Sequence, residues 1–241
     1  MEIGQAVRYV FDDEQWLGKL LIGAVISLIP VFGGLAVTGY AIAVLRNVKA
    51  GIQYPLPSWD RLGEYFVDGL MIWIGTFIYS IPLLIFICPL ALVWVLPAIA
   101  GDNQDLTAVL SGVAGVISLG LGCLSLLYGI LLWVLTAVLQ IRYAEIGKIG
   151  PLLRFGEVFG FLFDHIGSIL IAQLLVAVAG IIVSTLLGGL ISVFSLIPIC
   201  GWIAAAILSV VAIPVGVWVL LFAAHLYAQI AGQPEVAPAI L

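Results

Sequence analysis

Four long stretches of this chain carry no Asp, Glu, Lys or Arg: Leu20 to Leu45, Gly69 to Gly101, Leu106 to Ile141 and His165 to Pro234. About 20 apolar residues coil into a helix that crosses the hydrocarbon core of a bilayer, so each run suffices for one span and the last for two. Lipid offers the backbone no hydrogen-bond partners, which leaves helices or closed barrels as spanning structures. Unbroken apolar runs lack the in-and-out alternation of barrel strands. Composition agrees: 64% of the 241 residues are hydrophobic and 9% charged, with a mean hydropathy of +1.29. A soluble domain needs about a quarter of its residues charged. The expected fold is therefore all-α, a polytopic transmembrane helical bundle forming a single integral membrane domain over residues 1–241.

Charge placement orients the spans. The segments Arg46 to Arg61 and Arg142 to Arg154 each hold three basic residues, whereas 102-DNQD-105 is short and acidic. Short loops rich in Lys and Arg stay cytoplasmic. Spans 69–101 and 106–141 then form an out-and-back pair with the acidic loop outside. Spans 165–194 and 201–230 form a second pair that turns at 195-SLIPICG-201 and returns the C-terminus to the cytoplasm. The start, 1-MEIGQAVRYVFDDEQWLGK-19, is mixed in charge and aromatic, unlike a cleaved signal peptide. It reads as an interfacial helix over 1–16, with a second interfacial helix over 59–68.

Residues 17–48 are ambiguous. As one helix, the 26 charge-free residues reach roughly 39 Å and put the N-terminus outside. Pro30 and Gly33-Gly34 instead signal a break, and a re-entrant element keeps the N-terminus inside. Internal similarity favours the broken, re-entrant form. The stretch 27-SLIPVFG-33 matches 195-SLIPICG-201, 61-RLGEYF-66 matches 154-RFGEVF-159, and Gly4 with Phe11-Asp12 matches Gly156 with Phe163-Asp164. These point to an internal duplication built from an aromatic amphipathic segment, an apolar helix, a Ser-Leu-Ile-Pro turn and another apolar helix. Parallel repeats of this sort are a known membrane architecture.

The series Phe11-Asp12, Trp16, Lys19, Gly39-Tyr40, Leu45-Arg46, Gly51, Pro57-x-Trp59-Asp60 and Phe66-x-Asp68-Gly69 resembles an uncharacterised, domain-of-unknown-function family of prokaryotic polytopic membrane proteins. The resemblance implies a prokaryotic plasma membrane and a single domain. It brings no activity, ligand or catalytic residue with it.

Small residues mark candidate packing faces. Ser111, Gly115, Ser118, Gly122, Ser125 and Gly129 recur in alternating steps of four and three, a seam along one helix face. Such seams let helix backbones approach closely in lipid, and the expectation is packing within the molecule rather than between copies. Gly180, Ser184 and Gly188, and Gly201, Ala205, Ser209, Ala212 and Gly216, mark two further helices. Cys88, Cys123 and Cys200 are isolated and expected to behave as small buried hydrophobes.

Charged side chains avoid the apolar runs, which argues against a carboxylate relay or a voltage sensor. There is no HExxH, no GxSxG and no phosphate-binding Gly-rich loop. No enzyme activity, cofactor or metal is expected. His165 and His225 form a polar pair only if their helices are antiparallel neighbours. Trp59, Asp60, Arg61, Glu64 and Phe66, echoed by Arg154, Glu157 and Phe159, read as membrane-surface anchors that can serve as docking faces. Two functions remain. One is a helix-packing or interaction subunit that organises a membrane complex, with the bilayer and other subunits or further copies as partners and no nucleic acid. It needs fewer special features. The alternative is a binding or transport module for an uncharged or amphiphilic, lipid-like substrate, using broken helices and Thr76, Ser80, Gln140, Gln173 and Gln229.

Overall fold

The computed structural model describes residues 2–95, 97–98 and 103–232. The last three residues of the 69–101 span, Asp102 of the acidic loop and the C-terminus beyond 232 lie outside the described residues. Eight α-helices follow one another among them: α1 (Ile3–Arg8), α2 (Trp16–Ser27), α3 (Phe32–Lys49), α4 (Leu62–Val93), α5 (Gln104–Ile146), α6 (Phe155–Asp164), α7 (Ile166–Ser195) and α8 (Cys200–Ala231). No strand occurs among the described residues. Four stretches, Trp59–Val93, Gln104–Ile146, Ile166–Ser195 and Cys200–Ala231, are long and apolar enough to cross a membrane. This is the helical bundle of a multi-pass membrane protein. The 43 residues of α5 extend roughly 64 Å, about twice a hydrocarbon core.

Two element boundaries differ from the sequence reading. The 59–68 segment is not a separate interfacial helix: a 3-10 turn at Trp59–Arg61 runs straight into α4. No proline lies between Leu62 and Pro82, and a nucleated helix adds one bond per residue fixed, so it propagates. The 1–16 helix is shorter than expected, because α1 stops at Arg8 and a turn follows. There Asp13 accepts the Gln15 amide at 2.8 Å and pairs with Lys19 at 2.6 Å, bonds that compete with helix continuation.

The first apolar run is broken, and the break explains itself in backbone terms. α2 and α3 pack on each other as a hairpin. At roughly 18 and 27 Å its arms fall short of a ~30 Å core. Between them Val31 adopts φ 63°, and the Phe32 amide donates to the Pro30 carbonyl at 2.7 Å. That is a γ-turn of the strained hand, rare for a β-branched residue. The second Ser-Leu-Ile-Pro copy does the same: Ile199 has φ 61°, and Cys200 donates to Pro198 at 2.8 Å. Glycine is required just beyond both turns. A Cβ on Gly33 or Gly201 would lie 2.1 Å from the carbonyl oxygen of Ile26 or Phe194. The Leu28, Ile29, Phe32 and Gly33 amides all find carbonyls within the chain, as a turn in lipid requires. The order helix, helix, γ-turn, helix thus occurs twice, as α1–α3 and as α6–α8.

The chain packs as two compact units, residues 1–74 with 137–241 and residues 75–136. In the first, α8 is the axis, touching α1, α2, α3 and α7. α3 and α4 cross through glycine on both sides: a Cβ on Gly39 would lie 1.7 Å from the Tyr65 carbonyl oxygen, and one on Gly69 1.8 Å from that of Leu35. In the second unit the Tyr128 hydroxyl donates to the Tyr79 carbonyl at 2.8 Å, one turn before Pro82. Phe86 meets the Tyr128 ring edge-on at 6.3 Å.

The glycines of the small-residue seam make no close contact within the molecule. A Cβ on Gly115, Gly122 or Gly129 would meet nothing within 4 Å, and the same holds for Gly180, Gly188 and Gly216. Ser111 is exposed, while the Ser118 and Ser125 hydroxyls are buried without a hydrogen-bond partner. Tyr128 makes contacts from this helix instead, to Tyr79 and Phe86. The cysteines also depart from expectation: Cys88, Cys123 and Cys200 are exposed on helix exteriors.

Candidate functional site

The residues expected to dock at the membrane surface separate into two groups. Trp59 is turned inward, 8% exposed, stacked on Tyr40 with centroids 4.0 Å apart at 7°, and its indole N–H donates to the Lys19 carbonyl at 2.9 Å. Tyr65 closes this cluster edge-on, while its hydroxyl and that of Tyr40 donate to the Ser58 and Pro57 carbonyls. Phe66 stacks on Phe32 at 4.9 Å. Trp59 is therefore a core residue and not a headgroup anchor. It inverts because the proline-extended stretch 55–58 folds back over α2 and α3, held by Lys19 and Asn47 bonds to the Leu56 and Pro55 carbonyls. Arg61 and Glu64 do stay outside, forming a 3.5 Å pair at 63% and 67% exposure. Asp60 is also exposed and accepts the Ser58 hydroxyl. The echo pair Arg154–Glu157 repeats the contact at 2.8 Å, and the exposed guanidinium of Arg154, bonded to Glu157, has its pKa raised. Phe159 stacks loosely on Phe163.

Most basic side chains at this end are tied to carboxylates from other elements. Arg46 meets Asp68 at 2.6 Å and donates to the Ala144 carbonyl, while Tyr143 donates to the second Asp68 oxygen at 2.8 Å. Lys49 meets Glu145 at 2.6 Å, and Arg142 lies between Glu145 and Glu157. These contacts bind α3 to α4 and α5, and α5 to α6.

Beside this network lies a polar pocket of about 570 Å³. Gln5, Tyr9 and Asp12 line it from α1 and the turn after it, Lys49 and Gln53 from the end of α3, and His225 and Gln229 from α8. The Tyr9 ring lies 4.6 Å from that of His225, and its hydroxyl donates to the Leu221 carbonyl at 2.8 Å. Burial pushes the Tyr9 pKa well above its ordinary value, so the hydroxyl remains a neutral donor. Gln229 accepts the Glu2 amide at 2.8 Å, which turns its NH2 group toward His225 Nδ1 at 3.1 Å. Nδ1 then accepts and the ring proton sits on Nε2.

A second depression, about 350 Å³ and almost wholly apolar, lies between α2 and α8 and is lined by Phe11, Trp16, Leu20, Pro214 and Trp218. Pro214, Trp218, His225 and Gln229 are spaced four, seven and four residues apart. At 100° per residue they fall within about 60° of one another on α8, along roughly 22 Å. One face of α8 therefore joins the apolar groove to the polar pocket, with Tyr9 and Phe11 crossing it between them.

His165 and His225 have different partners. His165 is buried, stacked on Phe161 at 4.4 Å with Nδ1 3.3 Å from the Phe161 carbonyl. Among the described residues no group of three or more His, Cys, Asp or Glu side chains is placed to hold a metal. Of the five polar residues read as a substrate path, Gln229 lines the pocket, whereas Gln173 is buried and bonded to the Tyr227 hydroxyl at 3.0 Å. Gln5, Tyr9 and Gln53 escaped the sequence reading, and Asp12 entered it only within the Phe11-Asp12 motif, not as a site residue. The shared α8 face of Trp218, His225 and Gln229 was the available signal.

No curated protein and no solved structure matches the chain. A family model does, over residues 22–193, which take in the second half of α2, all of α3 to α6 and nearly all of α7, and leave Gln5, Tyr9, Asp12, His225 and Gln229 outside the match. The chain belongs to the family described as protein of unknown function (DUF4013).

Proposed function

We propose that this is a non-enzymatic, multi-pass protein of a prokaryotic plasma membrane that binds an amphiphilic, lipid-like ligand, with the basic end and the C-terminus cytoplasmic. The carrying observation is the single face of α8 on which an apolar groove and a polar pocket follow one another. An amphiphile has this layout, with its chain against Pro214 and Trp218 and its headgroup near His225 and Gln229. The Lys49–Glu145 pair supports a binding role, since it fixes the end of α3 at the pocket wall. The assignment of sides rests on Arg46, Lys49, Arg61, Arg142, Lys148 and Arg154, because short basic segments stay cytoplasmic.

A second reading, an interaction subunit or organiser of a membrane complex, is favoured by the open glycine face of α5, where another helix could approach closely. Gentle detergent purification followed by identification of co-eluting molecules separates the two. An amphiphile retained at one per chain supports the first reading. A stoichiometric protein partner or a stable homo-oligomer without bound amphiphile overturns it in favour of the second.

A further inference from the structure

The pocket has an electrostatic character that its residue names conceal. α8 packs antiparallel to α7 and beside α3, and residues from the last turns of both α3 and α8 line the pocket. The two helices therefore run parallel and end together. Each helix C-terminus presents the negative end of its dipole, equivalent to about half an elementary charge. Side-by-side parallel dipoles repel, and cations in the last turn normally offset this.

Here the offset is already taken up. Arg46 and Lys49, the basic residues in the last turn of α3, are each matched by a carboxylate at 2.6 Å, Asp68 and Glu145. The last turn of α8 has no basic residue. Asp12, on the pocket wall, has no ion-pair partner among the described residues. Gln5 and Gln53 line the same wall with amide side chains. Two helix C-termini and an unmatched carboxylate are what a cation seeks. The cavity of about 570 Å³ is far larger than a bare metal ion needs and suits an organic group.

We propose that the pocket between α1, α3 and α8 receives an organic ammonium group, with Asp12 as its counter-charge. This rests on the amphiphile reading and specifies the headgroup chemistry. The ammonium can belong to a lipid headgroup or to a free amine.

The test uses the full chain in a neutral detergent. Binding is followed by thermal shift and by tryptophan fluorescence for three probes: a single-chain phosphoethanolamine lipid, a phosphoglycerol lipid of the same chain length, and free ethanolamine. The wild type is expected to bind the phosphoethanolamine lipid at least tenfold more tightly than the phosphoglycerol lipid, and Asp12→Asn to erase that preference. Asp12 is exposed, so the variant should fold, and an unchanged melting temperature without probe checks this. Competition by free ethanolamine at similar concentration would identify a free amine as the source and leaves the ammonium site intact. Equal binding of the two lipids, unaffected by Asp12→Asn, overturns the ammonium site but keeps amphiphile binding. Failure of both lipids to bind removes the amphiphile reading as well.

Discussion

Trp59 and Arg61 stand two positions apart and have opposite fates. The indole is stacked, hydrogen-bonded and nearly enclosed, whereas the guanidinium makes an exposed pair with Glu64. Truncating a buried Trp typically costs about 3–5 kcal/mol, while an exposed ion pair is worth about 0.2–1. Trp59→Ala is thus expected to lower the melting temperature in detergent sharply and Arg61→Ala hardly at all, with differential scanning calorimetry as the check. Sequence alone could not tell these fates apart. The preference of Trp for membrane interfaces fixes depth along the normal, not whether the ring points to lipid or to protein. In a chain this apolar, no polar face marks the outside. The Arg46–Asp68–Tyr143 cluster was hidden for another reason: its members are 22 and 75 positions apart.

At the level of elements, the Ser-Leu-Ile-Pro repeats were legible because proline and glycine act locally. Both copies make the same γ-turn, and both need glycine two positions after the strained residue. Helix pairing was not legible from spacing. The glycines of the regular stripe on α5 face open space, while the isolated Gly39 and Gly69 carry the closest crossing in the first unit. Periodicity says which residues share a face and is silent about what that face meets. Gly39→Ala and Gly69→Ala must push α3 and α4 apart against backbone atoms, and each is expected to cost more than about 2 kcal/mol in a reversible unfolding measurement, in the range of overpacked sites. Gly115→Ala and Gly122→Ala, with free space around the new methyl, are expected to stay within about 0.5 kcal/mol of wild type. A large loss for Gly115→Ala would place a helix on that face.

For the molecule as a whole, the charge-free runs foretold the all-α class and the four long apolar helices, because bilayer thickness dictates run length directly. The pocket was less visible, since it assembles three elements that are distant in sequence. Each arm of the α2–α3 hairpin is shorter than a bilayer core, and the N-terminal turn and the end of α8 meet at one end of the first unit. Cysteine-labelling from each side of sealed membrane vesicles is expected to place Gln15→Cys and Gly232→Cys on the same, cytoplasmic side. Labelling from opposite sides would mean that residues 17–48 cross the membrane. The central claim, that the α8 face holds an amphiphile, is tested most directly by native mass spectrometry of the gently purified chain and of Gln53→Trp, whose indole fills the pocket from its exposed rim. The expected spectrum shows one lipid-sized adduct per wild-type chain and its loss in the variant. A wild-type chain that flies without an adduct, or a variant that keeps it undiminished, would contradict the claim.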